Sequence, residues 1–218
     1  VLKYFAKYRR LHAIGEHATL DHCASELREI ASTIKQIDPT LADISPVAMG
    51  HEGRAAAKYW HAIQLLVPKD FEFPGRHTQH ATDRFNQSLN YLYGLLYGEV
   101  WRAVVNVGLD PYFGIMHGSV RDQGSLVFDL IEELRAPFVD RLLLGMVGRG
   151  FQPGLRRDGK LMKKPRRQLI AAFLRQWNKT TRWRTSKIAP SRLLERQAGS
   201  LAAVYLDDGR YQPFQFRW

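Results

Sequence analysis

SLVFDLIEELRAPFVDRL, residues 125–142, carries the helical periodicity on which the rest of the chain is organised. Leu126, Leu130 and Leu134 recur at steps of four, with Val127 and Ile131 beside them. That is the apolar stripe of an amphipathic helix, not the strict alternation of a half-buried strand. Asp129, Glu132 and Glu133 then share the opposite face. Carboxylates three and four apart on a helix are neighbours and repel unless a cation lies between them. This face therefore calls for a basic side chain or a divalent metal.

Helical patterning extends outward from this segment. The spacing predicts helices over 1–14, 20–37, 52–66, 81–107, 124–144, 165–180 and 189–205, the second opening at Asp21 and stopping before Pro39. Asp38-Pro39 and Ser45-Pro46 mark 38–50 as a connection, and VPKDFEFPGRHTQHAT (67–82) reads as an ordered loop. Pro153-Gly154 and Asp158-Gly159 predict a small hairpin within 148–162. The fold class is mainly α with one small β-hairpin. Residues 1–145 form the helical core, and 146–218 are a basic extension of the same domain.

The chain has 218 residues, 45% of them hydrophobic, enough to bury a substantial core and too many for a disordered chain. Cys23 is the sole cysteine, which excludes an internal disulfide and makes the reducing cytoplasm the natural compartment. No apolar run reaches membrane-spanning length, so no membrane partner is expected. The net charge is +11, and its distribution is one-sided. Residues 1–145 carry 15 Lys/Arg against 17 Asp/Glu, whereas 146–218 carry 17 against 4. The entire excess lies in the last third, the electrostatic footprint of a polyanion partner. There Lys160, Lys163, Lys164, Arg166, Arg167, Arg175, Arg182 and Arg184 are the candidate DNA-binding cations, interleaved with Trp177 and Trp183. Cations neutralise phosphates and indoles stack on bases; the alternative is a solvated basic helix with its tryptophans in the core.

Three residues far apart in sequence stand out as candidate metal ligands. Glu52 lies in HEGRAAAKYW (51–60), in the first turn of its expected helix; His117 closes GLDPYFGIMH (108–117); Glu132 lies on the acidic face of 125–135. Two carboxylates and one imidazole form a mixed oxygen and nitrogen set, which suits magnesium or manganese better than a structural zinc site. Taken singly, each has an ordinary reading. Glu52 suits the positive end of a helix dipole, His117 a surface or hydrogen-bonded histidine, and Glu132 a solvated carboxylate.

Four segments in order, HEGRAAAKYW, DRFNQSLNYLYGLLYGEV (83–100), GLDPYFGIMH and SLVFDLIEELRAPFVDRL, resemble the signature segments of the CRISPR-associated integrase Cas-one, the DNA-inserting subunit of spacer acquisition. The resemblance runs from about residue 50 to 145 at the family's spacing. It implies that Glu52, His117 and Glu132, the first of the two adjacent glutamates, bind a catalytic divalent metal, Mg or Mn. It also implies that Asp129 supports the site, and that Arg76, Asn86, Asn90 and Tyr93 are supporting or substrate-positioning residues. Asp83 reads as a helix cap.

The implied activity is that of a metal-dependent DNA endonuclease and integrase, joining prespacer 3′-OH ends to the CRISPR repeat by transesterification. Implied partners are DNA (prespacer and repeat), Cas-two, a second copy of the full-length protein and a fused or associated reverse transcriptase. Two other readings are a noncatalytic DNA-binding scaffold and a related transposon integrase. The family's strand-rich N-terminal domain has no counterpart in this sequence, which opens at VLKYFAKYRR without methionine. A piece of a larger protein, such as a reverse transcriptase fusion, is the expectation.

Overall fold

The computed structural model describes residues 17–37, 45–114, 116, 124–183, 186–206 and 209–214. The helix expected over 1–14 lies outside them, as do His117 and Arg184. Seven α-helices account for most of the described chain: α1 (His17–Ile34), α2 (Ser45–Leu66), α3 (Arg84–Asn106), α4 (Ser125–Leu134), α5 (Arg141–Val147), α6 (Lys163–Trp177) and α7 (Pro190–Tyr205). A six-residue π segment, Arg135–Asp140, joins α4 to α5 without a break. The mainly helical fold is the one expected. Among the described residues no helix is long and apolar enough to cross a membrane.

The chain packs as two units, the first ending at Asn86 and the second starting at Gln87. In the first, α1 lies against α2, burying Leu20, Cys23 and Ala24 at helical spacing. Lys58 of α2 pairs with Glu26 of α1 at 2.7 Å. Helix α2 begins seven residues before the expected start, within the stretch read as a connection. Pro46 lies in its first turn, where a missing N–H costs no hydrogen bond, so Ser45-Pro46 opens the helix instead of interrupting it. After α2 the loop is ordered, as expected. Phe71, Phe73 and Phe85 are buried, with the Phe73 and Phe85 ring centroids 4.8 Å apart.

The second unit is built on the stripe of α3, where Leu89, Leu92, Leu96, Val100 and Val104 are fully buried. Helix α4 contributes Leu126, Val127, Leu130, Ile131 and Leu134, the residues whose spacing marked it as amphipathic. The expected uninterrupted helix 124–144 contains the π segment because Pro137 cannot continue an α-helix: it lacks a donor, and its ring would meet the carbonyl four residues back. The wider turn accommodates it, and Arg141 donates its N–H five residues back, to Ala136 O.

The β structure is placed differently from the expectation. Within 148–162 the turn does close, with Arg156 N–H donating to Lys160 O at 2.8 Å, but the pairing amounts to one bridge, Leu155 to Leu161. The two-stranded antiparallel ladder is β1 (Thr181–Trp183) with β2 (Ser186–Ile188), between α6 and α7. Helix α6 ends at Trp177, before the expected 180, since Thr181, Trp183 and Ile188 favour extended backbone.

Candidate functional site

Glu52 is exposed in the third turn of α2, not in the first turn of its helix. The dipole acts within the first turn, so stabilisation of the helix end does not account for this carboxylate. A second cluster of the first unit gathers around Asn86, which is fully buried. Its Nδ2 donates to Gly75 O at 2.7 Å and to Asp83 Oδ2 at 2.8 Å. Its Oδ1 accepts from Arg76 at 3.1 Å and from the His77 N–H at 3.0 Å. Asp83 caps α3 by accepting the Asn86 N–H at 2.7 Å. The Arg76 guanidinium lies 5.8 Å from the Trp60 ring centre. Asn86 therefore clamps the 75–77 loop and holds Arg76. Asn90, one turn further along α3, is half-buried.

In the second unit, α3 ends in a Schellman cap. Gly108 has φ +79, its N–H donates to Val105 O at 3.0 Å, and the Leu109 N–H reaches Val104 O at 3.1 Å. The chain then turns through Asp110, whose Oδ1 accepts the Tyr112 N–H at 2.9 Å, and runs against the start of α4. Leu126 N–H donates to Pro111 O at 3.0 Å. At Gly114 a Cβ would lie 2.5 Å from the Ser125 Cβ and 3.2 Å from Asp129 Oδ2. Only glycine permits that approach. Asp129 Oδ2 accepts the Met116 N–H at 3.0 Å, which fixes the residue immediately before His117. Burial and the charge of Asp129 raise the pKa of the Tyr205 hydroxyl at the end of α7.

The two adjacent glutamates of α4 are in opposite states. Glu133 is consumed by structure: its Oε1 accepts the Tyr211 hydroxyl, and its Oε2 accepts Gln197 Nε2 at 2.9 Å and the Phe214 N–H at 2.7 Å. Phe214, stacked on Phe138 at 5.8 Å, is buried there. Glu132 is exposed and pairs with Arg135, three residues on. The acidic face of α4 is thus divided among Met116, Arg135 and the 211–214 segment. Sequence patterning left three participants unassigned: Gly114, Arg135 and Asp140, a buried carboxylate that accepts the Tyr93 hydroxyl. The Arg-Ala-Pro that forces the π segment was the signal for Arg135 and Asp140.

In the basic third, Lys160, Lys163, Lys164, Arg167 and Arg175 are exposed and Arg166 is half-buried. Arg182 lies in β1. Helix α6 has no acidic residue in its first turn and carries Lys163 and Lys164 there, against the sign its dipole favours. Trp177 does not join this surface. It is 4% exposed, stacks on Phe173 with centroids 5.4 Å apart, and donates Nε1–H to Glu99 at 3.1 Å. For Trp177 the core alternative is the correct one.

Among the described residues no three His, Cys, Asp or Glu side chains converge as a metal cluster. The chemistry of the donor set still fits a hard divalent ion: Glu52 and Glu132 are exposed carboxylates, and Asp129 ties down the turn that leads to His117.

The model of the family described as CRISPR associated protein Cas1 matches residues 1–175. The CRISPR-associated endonuclease Cas1 1 of Archaeoglobus fulgidus is 32% identical over 206 residues, covering 88% of this chain, which spans 60% of that relative. A casposase bound to its integration product shares the fold with a TM-score of 0.72 at 24% identity, over 88% of this chain and 59% of its own. A Cas6-RT-Cas1–Cas2 complex shares it with a TM-score of 0.74 at 20% identity, over 95% of this chain and 23% of its own. A family match over most of the chain, on a helical fold that carries the four ordered segments, makes this chain a member of the CRISPR associated protein Cas1 family.

Proposed function

We propose that this chain is the helical catalytic part of a divalent-metal-dependent DNA integrase and endonuclease of CRISPR spacer acquisition. The observation that carries the reading is the unequal use of the two α4 glutamates. Glu133 is saturated by three donors, whereas Glu132 stays exposed beside an aspartate that holds Met116, the residue before His117. Family membership supports the same role, and the chain's 60% span of its archaeal relative leaves the whole protein's activity as part of the proposal.

In the proposed reaction a DNA 3′-hydroxyl attacks a phosphodiester at the repeat boundary. One P–O bond forms and another breaks, so the number of phosphodiesters is unchanged and no nucleotide cofactor is required. Glu52, His117 and Glu132 would hold magnesium or manganese, which when bound supplies charge stabilisation at the phosphoryl oxygens. Asp129 holds Met116, the residue before His117, and Asn86 holds Arg76. The exposed cations of α6 and its flanks hold the DNA backbone. They position a duplex and read no sequence.

The partners that fit are prespacer and repeat DNA, Cas-two, a second copy of the full-length protein and a reverse transcriptase in the same assembly. A complex combining Cas6, RT, Cas1 and Cas2 shares this fold, and this chain covers 23% of the chain it matches there. A cytoplasmic site of action accords with these partners. The likeness to a casposase bound to its integration product favours a transposon integrase as the second reading.

Purified protein incubated with manganese and a branched DNA substrate tests the proposal. His117→Ala is expected to abolish cutting and joining while sparing DNA binding. Full joining by the variant would remove His117 from the ligand set. Salt-sensitive binding without metal-dependent chemistry in the unmodified protein would instead establish a noncatalytic scaffold.

A further inference from the structure

Arg135 is the first residue of the π segment and the ion-pair partner of Glu132. Its side chain is 28% exposed, against 40% for Glu132. The guanidinium lies 4.5 Å from the centre of the Tyr93 ring, a cation–π distance. Tyr93 is itself anchored, because its hydroxyl donates to Asp140 Oδ1, and Asp140 is 2% exposed at the far end of the same π segment. An arginine carries its charge throughout the working pH range. One strongly held cation therefore faces a functional carboxylate on one side and a buried aromatic–carboxylate pair on the other.

A surface ion pair at this spacing is ordinarily mobile and worth little. Arg135 differs because its other face is packed. A planar guanidinium stacked on a ring keeps its donors in a fixed plane, and Tyr93 cannot move off without breaking its bond to Asp140. The cation is built into the helix beside Glu132.

We propose that Arg135 is a resident counter-cation of Glu132 that competes with a divalent ion for its carboxylate, with Tyr93 and Asp140 as positioning residues that hold it there. The proposal rests on the reading of Glu132 as a metal ligand. Two cations on one carboxylate repel, so the arginine weakens metal binding to the protein alone. A nucleic-acid phosphate relieves that conflict, since it supplies further anionic oxygens and accepts guanidinium donors well. Metal and DNA are thereby coupled: each strengthens the binding of the other, by the same factor.

The test is the affinity of the full chain for manganese without DNA, read from the electron paramagnetic resonance signal of the free ion. R135Q is expected to bind manganese roughly three- to tenfold more tightly than the unmodified protein, the scale of one nearby like charge. R135K keeps the charge and should stay within about twofold of it. Y93F keeps the ring but removes its anchor on Asp140, which loosens Arg135 from Glu132 and gives about twofold tighter binding. Adding DNA should strengthen manganese binding several-fold in the unmodified protein and much less in R135Q.

Equal or weaker manganese binding by folded R135Q overturns the proposal. If R135Q does not fold, equal or weaker binding by Y93F overturns it. E132Q separates the two levels of inference. Loss of manganese binding in E132Q with no gain in R135Q sinks the counter-cation and leaves Glu132 a ligand, whereas full binding by E132Q removes the ligand assignment and the proposal with it.

Discussion

The backbone N–H of Met116 donates to Asp129 Oδ2 across 3.0 Å, so a side chain of α4 holds the residue that immediately precedes His117. Asp129→Ala leaves that amide without its acceptor and is expected to cost about 1–2 kcal/mol, the scale of a half-buried hydrogen bond to a charged group. Asp129→Asn keeps an acceptor and should lose less. Denaturant midpoints give the stability difference, and amide hydrogen exchange at Met116 shows whether the turn is the part that loosens. Exchange unchanged at Met116 in the alanine variant would refute the tether.

Glu132 and Glu133 are adjacent and chemically alike, yet their substitutions should separate cleanly. Glu133→Gln weakens three hydrogen bonds at once and is expected to lower stability by about 1–3 kcal/mol. Glu132→Gln sits at an exposed position and should change stability by less than about 0.5 kcal/mol. Its joining activity should nevertheless fall by roughly a hundredfold or more, the usual cost of removing a group that stabilises the reacting charge. Paired unfolding curves and strand-transfer assays check both halves.

Tyr211 gives the molecule an alkaline limit. Burial raises the pKa of its hydroxyl above the ordinary tyrosine value, and the bond to Glu133 raises it further. The folded state thus holds the proton after the unfolded chain has released it. Stability from this group is complete below about pH 10, the ordinary tyrosine value, and declines as pH rises from there towards the higher folded value. Urea midpoints measured from pH 8.5 to 11 should fall more steeply in the unmodified protein than in Tyr211→Phe, whose starting stability is lower.

The basic third makes a quantitative prediction about salt. If Lys163, Lys164, Arg167 and Arg175 each neutralise one phosphate, replacing all four with glutamine reduces the slope of log affinity against log salt by about 3–4. Fluorescence anisotropy with labelled duplex across a salt series reads that slope. Trp177 is expected to keep the same emission with and without DNA, since its indole is stacked on Phe173 inside the core.

Apolar periodicity in the sequence accounts for most of these helices. The leucines that mark α4 in the sequence are the same residues that fill the core. Helix α2 was harder to read because Ser-Pro marks both a turn and a helix start, and only the contacts of the following turns decide between them. The β ladder at 181–188 was hidden because its strands are three residues each, too short for alternation to register. At the site, Glu132 and Asp129 could be singled out as acidic residues on one face. Their different partners could not, because Met116, Arg135 and the 211–214 segment are brought to that face by backbone geometry: the close approach at Gly114, the wide turn at Pro137 and the return of the chain after α7.

The π segment also fixes a phase. Each residue of an α-helix turns the side-chain direction by about 100°, whereas a turn closed five residues back winds less per residue and takes up one extra residue. Asp140, at the end of that wide turn, meets the Tyr93 hydroxyl. Rewinding the same residues as regular α-helix would carry Asp140 roughly a quarter-turn around the helix axis. The partner of Asp140 thus depends on how the six residues wind as well as on which residues they are.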